Sequence, residues 1–126
     1  MLEDIFNVPA EITINGKTYK AEYDYKAYAM LEMLTGKGFY KIYNLLMVQN
    51  NLTLHDSIEV VCCALIKHHT ETEVKAVREY LQTNLYAIQD LNAEIIGAFT
   101  LPILAPEIVN SVQEIKKKVE EMKKKI

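Results

Sequence analysis

The sequence predicts a small, mostly helical α+β domain, with one N-terminal β-hairpin and about five to six helices packed around a central apolar helix. Three observations predict it. In EITINGKTYK, residues 11–20, two short alternating runs meet at Asn15-Gly16, the pattern of a two-residue hairpin turn. Past residue 24 the apolar period changes from 2 to 3.6. The stretch VVCCALI, residues 60–66, is apolar on every side, as a helix at the centre of a bundle must be. Two units follow: residues 1–105 as a single domain of hairpin plus helical body, and residues 106–126 as a C-terminal amphipathic basic helix.

The turn sets the hairpin register. It pairs Ile14 with Lys17, Ile12 with Tyr19, Ala10 with Ala21 and Val8 with Tyr23. Because side chains alternate across a strand, Val8, Ala10, Ile12 and Ile14 share one face with Tyr19, Ala21 and Tyr23. Glu11, Thr13, Thr18, Lys20 and Glu22 occupy the other. Pro9 removes a donor from the first strand, which suits an edge. A lone hairpin is marginal in water, so its apolar face needs a cover, from its own helices or from a partner.

YKAYAMLEML then places Tyr25, Tyr28 (or Ala29) and Glu32 on one helical stripe flanked by Leu31 and Leu34, and TGKG ends that helix. FYKIYNLLMV gives Phe39, Ile42, Tyr43 and Leu46 at helical spacing. A third helix starts at Thr53, with Asp56 in an approximate capping box. Its main stripe is Leu54, Ile58, Val61 and Leu65, widened by Val60, Cys62, Ala64 and Ile66. His68 and His69 are expected against its C-terminal dipole. A true capping box, Thr70-x-x-Glu73, opens a fourth helix that buries Val74, Val77 and Leu81. A fifth is expected from Leu85 to Phe99, with Ile88, Leu91, Ile95 and Phe99 in register. TLPILAP breaks the chain, and Pro106 is well placed as the first residue of the last helix.

In that last helix Ile108, Val112, Ile115, Val119, Met122 and Ile126 form an a/d seam. Residues 110–126 hold six lysines and three glutamates, a charge of +3, whereas the rest of the chain holds eight basic and fourteen acidic side chains, or −6. An acidic body thus carries a basic, seamed arm. Such a helix is marginal alone in water, so the arm is docked on the body, paired or frayed, and these six residues are the candidates for a partner or self-association contact.

Composition excludes several classes. Net charge is −3, which gives no field attracting nucleic acid or anionic lipid. No apolar run approaches the roughly 18 residues of a membrane span, and MLEDIFNVPA lacks the pattern of a signal peptide. A soluble cytoplasmic protein with reduced thiols is expected. Cys62-Cys63 and His68-His69 cannot converge on one ion from a continuous helix, because neighbouring residues point about 100° apart. The two serines lie in no nucleophile-elbow context, TGKGF lacks the P-loop spacing, and the scattered carboxylates form a solvated face. No catalytic residue, cofactor site or metal site is assigned, and no enzyme is expected. Six of the eight tyrosines fall between Tyr19 and Tyr43, where they suit core packing first and a protein interface second.

The run ITINGKTY, a tyrosine-rich helix closing on LEMLTG, then FYKIYNLL and the capped helix LTLHDSIEVVCCALIKH resemble, in this order, the tail assembly chaperones of long-tailed bacteriophages and related prophages. The similarity covers roughly residues 11–100. It implies a small helical domain with an N-terminal hairpin and no catalytic residue. Its implied function is to bind the long, helical, apolar tape measure protein and keep it soluble while the tail tube polymerises. It also implies a homo-oligomer. Members of that family are often made in a short and a frameshifted longer form; the longer form would bring in the tail tube protein, and slippage is expected at one of the two lysine triplets, 116–118 or 123–125. Two other classes remain open: a protein-binding regulator of a phage or mobile element, of inhibitor or antitoxin type, and a helix-turn-helix DNA binder using the third and fourth helices. Glu71 and Glu73 at the start of the would-be recognition helix weigh against the second, because phosphates repel them.

Overall fold

The computed structural model describes the backbone of residues 10–49, 51–104 and 106–125, with side chains for all of these except 90–93, 106–113, 116 and 125. Among the described residues two antiparallel strands, β1 (Ala10–Ile14) and β2 (Lys17–Ala21), precede six α-helices: α1 (Tyr25–Thr35), α2 (Phe39–Tyr43), α3 (Leu54–Cys63), α4 (Glu71–Thr83), α5 (Asn92–Thr100) and α6 (Pro106–Lys125). The fold is the mostly helical α+β domain with an N-terminal hairpin that the sequence predicts.

The hairpin register is Ala10↔Ala21, Ile12↔Tyr19 and Ile14↔Lys17. Asn15 at φ 52° and Gly16 at φ 78° supply the two left-handed residues of a tight turn. The expected pair Val8–Tyr23 and the edge role of Pro9 lie outside the described residues. Ala10, Ile12, Ile14, Tyr19, Ala21 and Tyr23 are all buried. Their cover is the chain's own: β1 packs on α5, and the core joins the hairpin face to α3, the turn after it and α5 through Val61, Leu65, Ile95 and Phe99.

The outward edge of β2 is also tied down. The N–H of Glu22 donates to the Ala64 carbonyl at 2.8 Å, and the N–H of Lys20 donates to Nε2 of His69 at 2.9 Å. This corrects the expected role of the histidines. Regular α-helix in α3 stops at Cys63, and the turns that follow carry residues 64–69 back to the strand. There the backbone donors of β2 need partners, and His69 serves one of them. His68 Nε2 instead lies 2.9 Å from Glu22 Oε1, and Lys67 Nζ 2.8 Å from Oε2 of the same carboxylate.

The central helix is sealed on every side: Ile58 to Leu65 are all buried, and α3 packs against both α1 and α4. Leu54, expected in its main stripe, is 58% exposed because it sits in the first turn, outside the body. The capping box at Thr53 is half formed. Thr53 Oγ1 accepts the Asp56 N–H at 3.1 Å, but the Asp56 carboxylate turns inward to Lys37, whose Nζ lies 2.7 Å from Oδ2, off the direction of a hydrogen bond. At Thr70 the box is complete, with Glu73 N–H to Thr70 Oγ1 and Thr70 N–H to Glu73 Oε1, and α4 buries Val74, Val77 and Leu81 as expected.

Two expected helices are wound differently. After α2 the chain continues as a π-helical turn, Asn44–Val48. The expected fifth helix from Leu85 to Phe99 is instead a 3₁₀ segment, Leu85–Leu91, leading into α5. A 3₁₀ winding rises about 2.0 Å per residue against 1.5 Å. It therefore stretches the link that passes β1 on its way from α4 to α5. A single 3₁₀ turn, Leu101–Ile103, then leads to Pro106 at the head of α6.

Candidate functional site

The cleft is built from the stripe on α1. Tyr25, Tyr28, Ala29 and Glu32 recur at spacings of three and four and so stand above one another on one helix face. That face is not the core face: α1 buries Ala27 and Leu31 toward α3, and small Ala27 permits the close approach. The stripe is left as the wall of an open cleft of about 670 Å³, completed by Tyr23, Asp24, Phe39, Pro102 and Ile103. This volume is within the range of ordinary ligand sites. The sequence singles out the stripe correctly, but only the fold reveals that it faces a cavity and that Pro102 and Ile103 close the far side.

The base of the cleft is an aromatic cluster. Tyr23 stacks on Tyr28 at 4.8 Å between centroids, Phe39 stacks on Phe99 at 5.5 Å, and Tyr28 meets Phe39 and Phe99 edge-on. Such pairs contribute about 0.5–1.5 kcal/mol each beyond the area they bury. Two phenols are anchored at the same time. Tyr23 Oη donates to the Val60 carbonyl at 2.5 Å and Tyr28 Oη to the Phe99 carbonyl at 2.6 Å. Burial raises the pKa of both phenols well above the ordinary value, and for Tyr28 the charge of Asp24 adds to it. They are neutral hydrogen-bond donors. By contrast Tyr25 is 78% exposed at the mouth.

Among the described residues two carboxylates line the cleft, and no basic side chain does. Both are held in place. Asp24 Oδ1 caps α1 by accepting the Ala27 N–H at 2.9 Å, and Glu32 Oε2 accepts the Phe39 N–H at 2.7 Å. An apolar aromatic floor with fixed negative charge suits an apolar segment that carries positive charge, through burial, cation–π contact and ion pairing.

The remaining chemistry of the body is structural. Burial pushes the thiols of Cys62 and Cys63 up to about 12, so both are inert at neutral pH. Glu59, buried, is gripped by Arg78 through Nε–Oε2 at 3.1 Å and Nη2–Oε1 at 2.8 Å. Hydrogen bonds from Lys67, then His68, hold the Glu22 carboxyl below the usual range. Among the described residues no group of three or more His, Cys, Asp or Glu is placed to hold a metal ion, and no helix is long and apolar enough to cross a membrane.

The seam residues fall on a different element from the cleft. Ile115 is 58% and Met122 62% exposed, with Val119 half-buried between them. The side chains of Ile108 and Val112, and Ile126 altogether, lie outside the described residues. The cleft itself was not among the candidates read from the sequence. The signal that could have found it is Glu32 in an otherwise apolar stripe, a charge that a face turned to the core carries only when it is paired. Compared with known proteins, the chain matches no protein-family model, no curated protein and no solved structure.

Proposed function

We propose that this protein is a tail assembly chaperone of a long-tailed phage or related prophage. It binds the tape measure protein in the host cytoplasm, keeps that client soluble during tail tube assembly, and self-associates. The sequence resemblance names the client. The structural observation that supports the reading is the open, aromatic, carboxylate-lined cleft on α1, a groove of the kind that receives one apolar face of a helix. A long apolar helical client exposes aggregation-prone surface, and a small acidic binder masks it while lending it charge. The regulator and DNA-binding alternatives gain no observation of their own: Glu73, which a DNA phosphate would meet, is locked into the cap of α4.

The test is co-expression with the tape measure protein. The client's soluble fraction is expected to rise and the two to co-purify, and Tyr25→Lys, which places a cation at the cleft mouth, is expected to reduce both. A client that stays insoluble in excess partner overturns the function.

A further inference from the structure

We propose that, in the absence of client, the cleft of one copy is filled by α6 of a second copy, so that association is an arm-in-cleft contact and not a pairing of seams. The proposal rests on the reading of the cleft as a helix groove and supplies its occupant. Three observations carry it.

The first is complementarity of charge. Among the described residues the cleft presents Asp24 and Glu32 and no cation. On α6 the exposed Lys118 and Lys123 stand on either side of the Ile115–Val119–Met122 stripe, by their offsets of three and four from its members. A carboxylate-lined groove and a lysine-flanked apolar stripe are matched in both respects. Two seams placed side by side would instead bring lysines toward lysines, which is unfavourable.

The second is size. Three side chains at i, i+4 and i+7 form the single helical face that a cleft of about 670 Å³ can take.

The third is reach. Ile103 lines the cleft, and α6 begins at Pro106, so the arm is rooted at the cleft's own edge. Along a helix Ile115 and Met122 lie roughly 14 and 24 Å from Pro106. A continuous helix cannot bring them back to the cleft at its base, whereas the arm of another copy can enter freely. Client and arm are then alternatives for one groove.

The contact is heterologous, which makes it testable by mixing. The unaltered protein is expected to associate in light scattering and sedimentation, and more weakly in high salt. Ala29→Arg, at an exposed helical position, fills the cleft wall and adds a repelling charge. The double variant Ile115→Asp/Met122→Asp removes the stripe. Each alone is expected to weaken association by roughly tenfold or more, with unchanged circular dichroism; Tyr25→Lys serves as the cleft variant if Ala29→Arg does not fold. An equimolar mixture of cleft variant and arm variant is expected to re-form a complex, because one intact cleft meets one intact arm. A monomeric unaltered protein overturns both the contact and self-association. Association that survives either variant, or a mixture that stays dissociated, overturns the arm-in-cleft contact. The client assay reads the function separately, so either can fall alone.

Discussion

Helices α3 and α6 are both strongly patterned, yet they meet opposite fates. In α3 the ten residues Leu54–Cys63 lie between α1 and α4, and every side chain from Ile58 onward is enclosed. In α6, twice as long, Ile115 and Met122 remain in contact with solvent. The difference is one of pattern. A helix apolar on all sides can only be stable inside its own domain, whereas one with a single stripe needs only a groove, and the groove can belong to another molecule. Burial within the chain and burial between chains leave different marks on the sequence.

The sharpest way to break this comparison is to truncate on both sides of it. Phe99 joins hairpin, α1 and α2 at the centre of the aromatic cluster and is fully buried. Phe99→Ala is expected to cost about 3–5 kcal/mol in urea denaturation. Ile115→Ala and Met122→Ala, measured where the protein is dilute, are expected to change stability by less than about 0.5 kcal/mol. A large loss from the α6 variants would place that helix in the body's own core.

A second contrast is electrostatic. On α6 Lys117, Lys118, Lys123 and Lys124 stand in water, whereas Glu59 is enclosed and depends on the Arg78 fork. Arg78→Ala strands that carboxylate. The expected cost is about 2–3 kcal/mol, at the low side of values for broken buried pairs because the guanidinium is itself partly solvated. Replacing both residues by Leu is expected to recover most of the loss, since no orphan charge then remains.

The smallest effect concerns acid. Glu22 ties the end of the hairpin to Lys67 and His68, and its folded-state pKa is depressed below 4.5 by those partners. Its contribution is therefore complete above 4.5 and is lost as pH falls through the lower folded value. Glu22→Gln is expected to flatten the acid limb of the stability profile by less than about 1 kcal/mol, the pair being near the surface. An unchanged acid limb would show that the bridge does not hold the hairpin.

What could be read from the sequence was what local geometry decides. Asn15-Gly16 fixes a register because the turn and the alternation are both within a dozen residues. Thr70 and Glu73 make their cap from four adjacent residues. The boundary of the last helix at Pro106 is similarly local. The failures came where distant residues decide. Asp56 looked like part of a cap, but Lys37 from another loop takes its carboxylate. A helix end is the local reading of the histidines, although the strand edge that uses His69 lies forty-nine residues away. The 3₁₀ link and the π turn follow from spans that only packing sets. The cleft was half legible: its α1 wall is a periodic stripe, and its other wall comes from Pro102 and Ile103.

The way the hairpin is covered has a consequence for synthesis. The hairpin leaves the ribosome before the helices that cover it, and such a turn closes in about 1–10 μs. Its cover includes Tyr23–Val60 and Tyr23–Phe99 contacts, and Phe99 emerges roughly eighty residues after β2, about 4–16 s later at ordinary elongation rates. For that interval the ribbon, marginal on its own, lacks the full cover of Ile12, Ile14 and Tyr19. Helix α3 and the turn after it arrive roughly midway and offer Val60 and Ala64 first, so the nascent chain gains a partial shelter before α5 completes it. A protein read as shielding another chain's apolar surface thus leaves its own exposed for seconds.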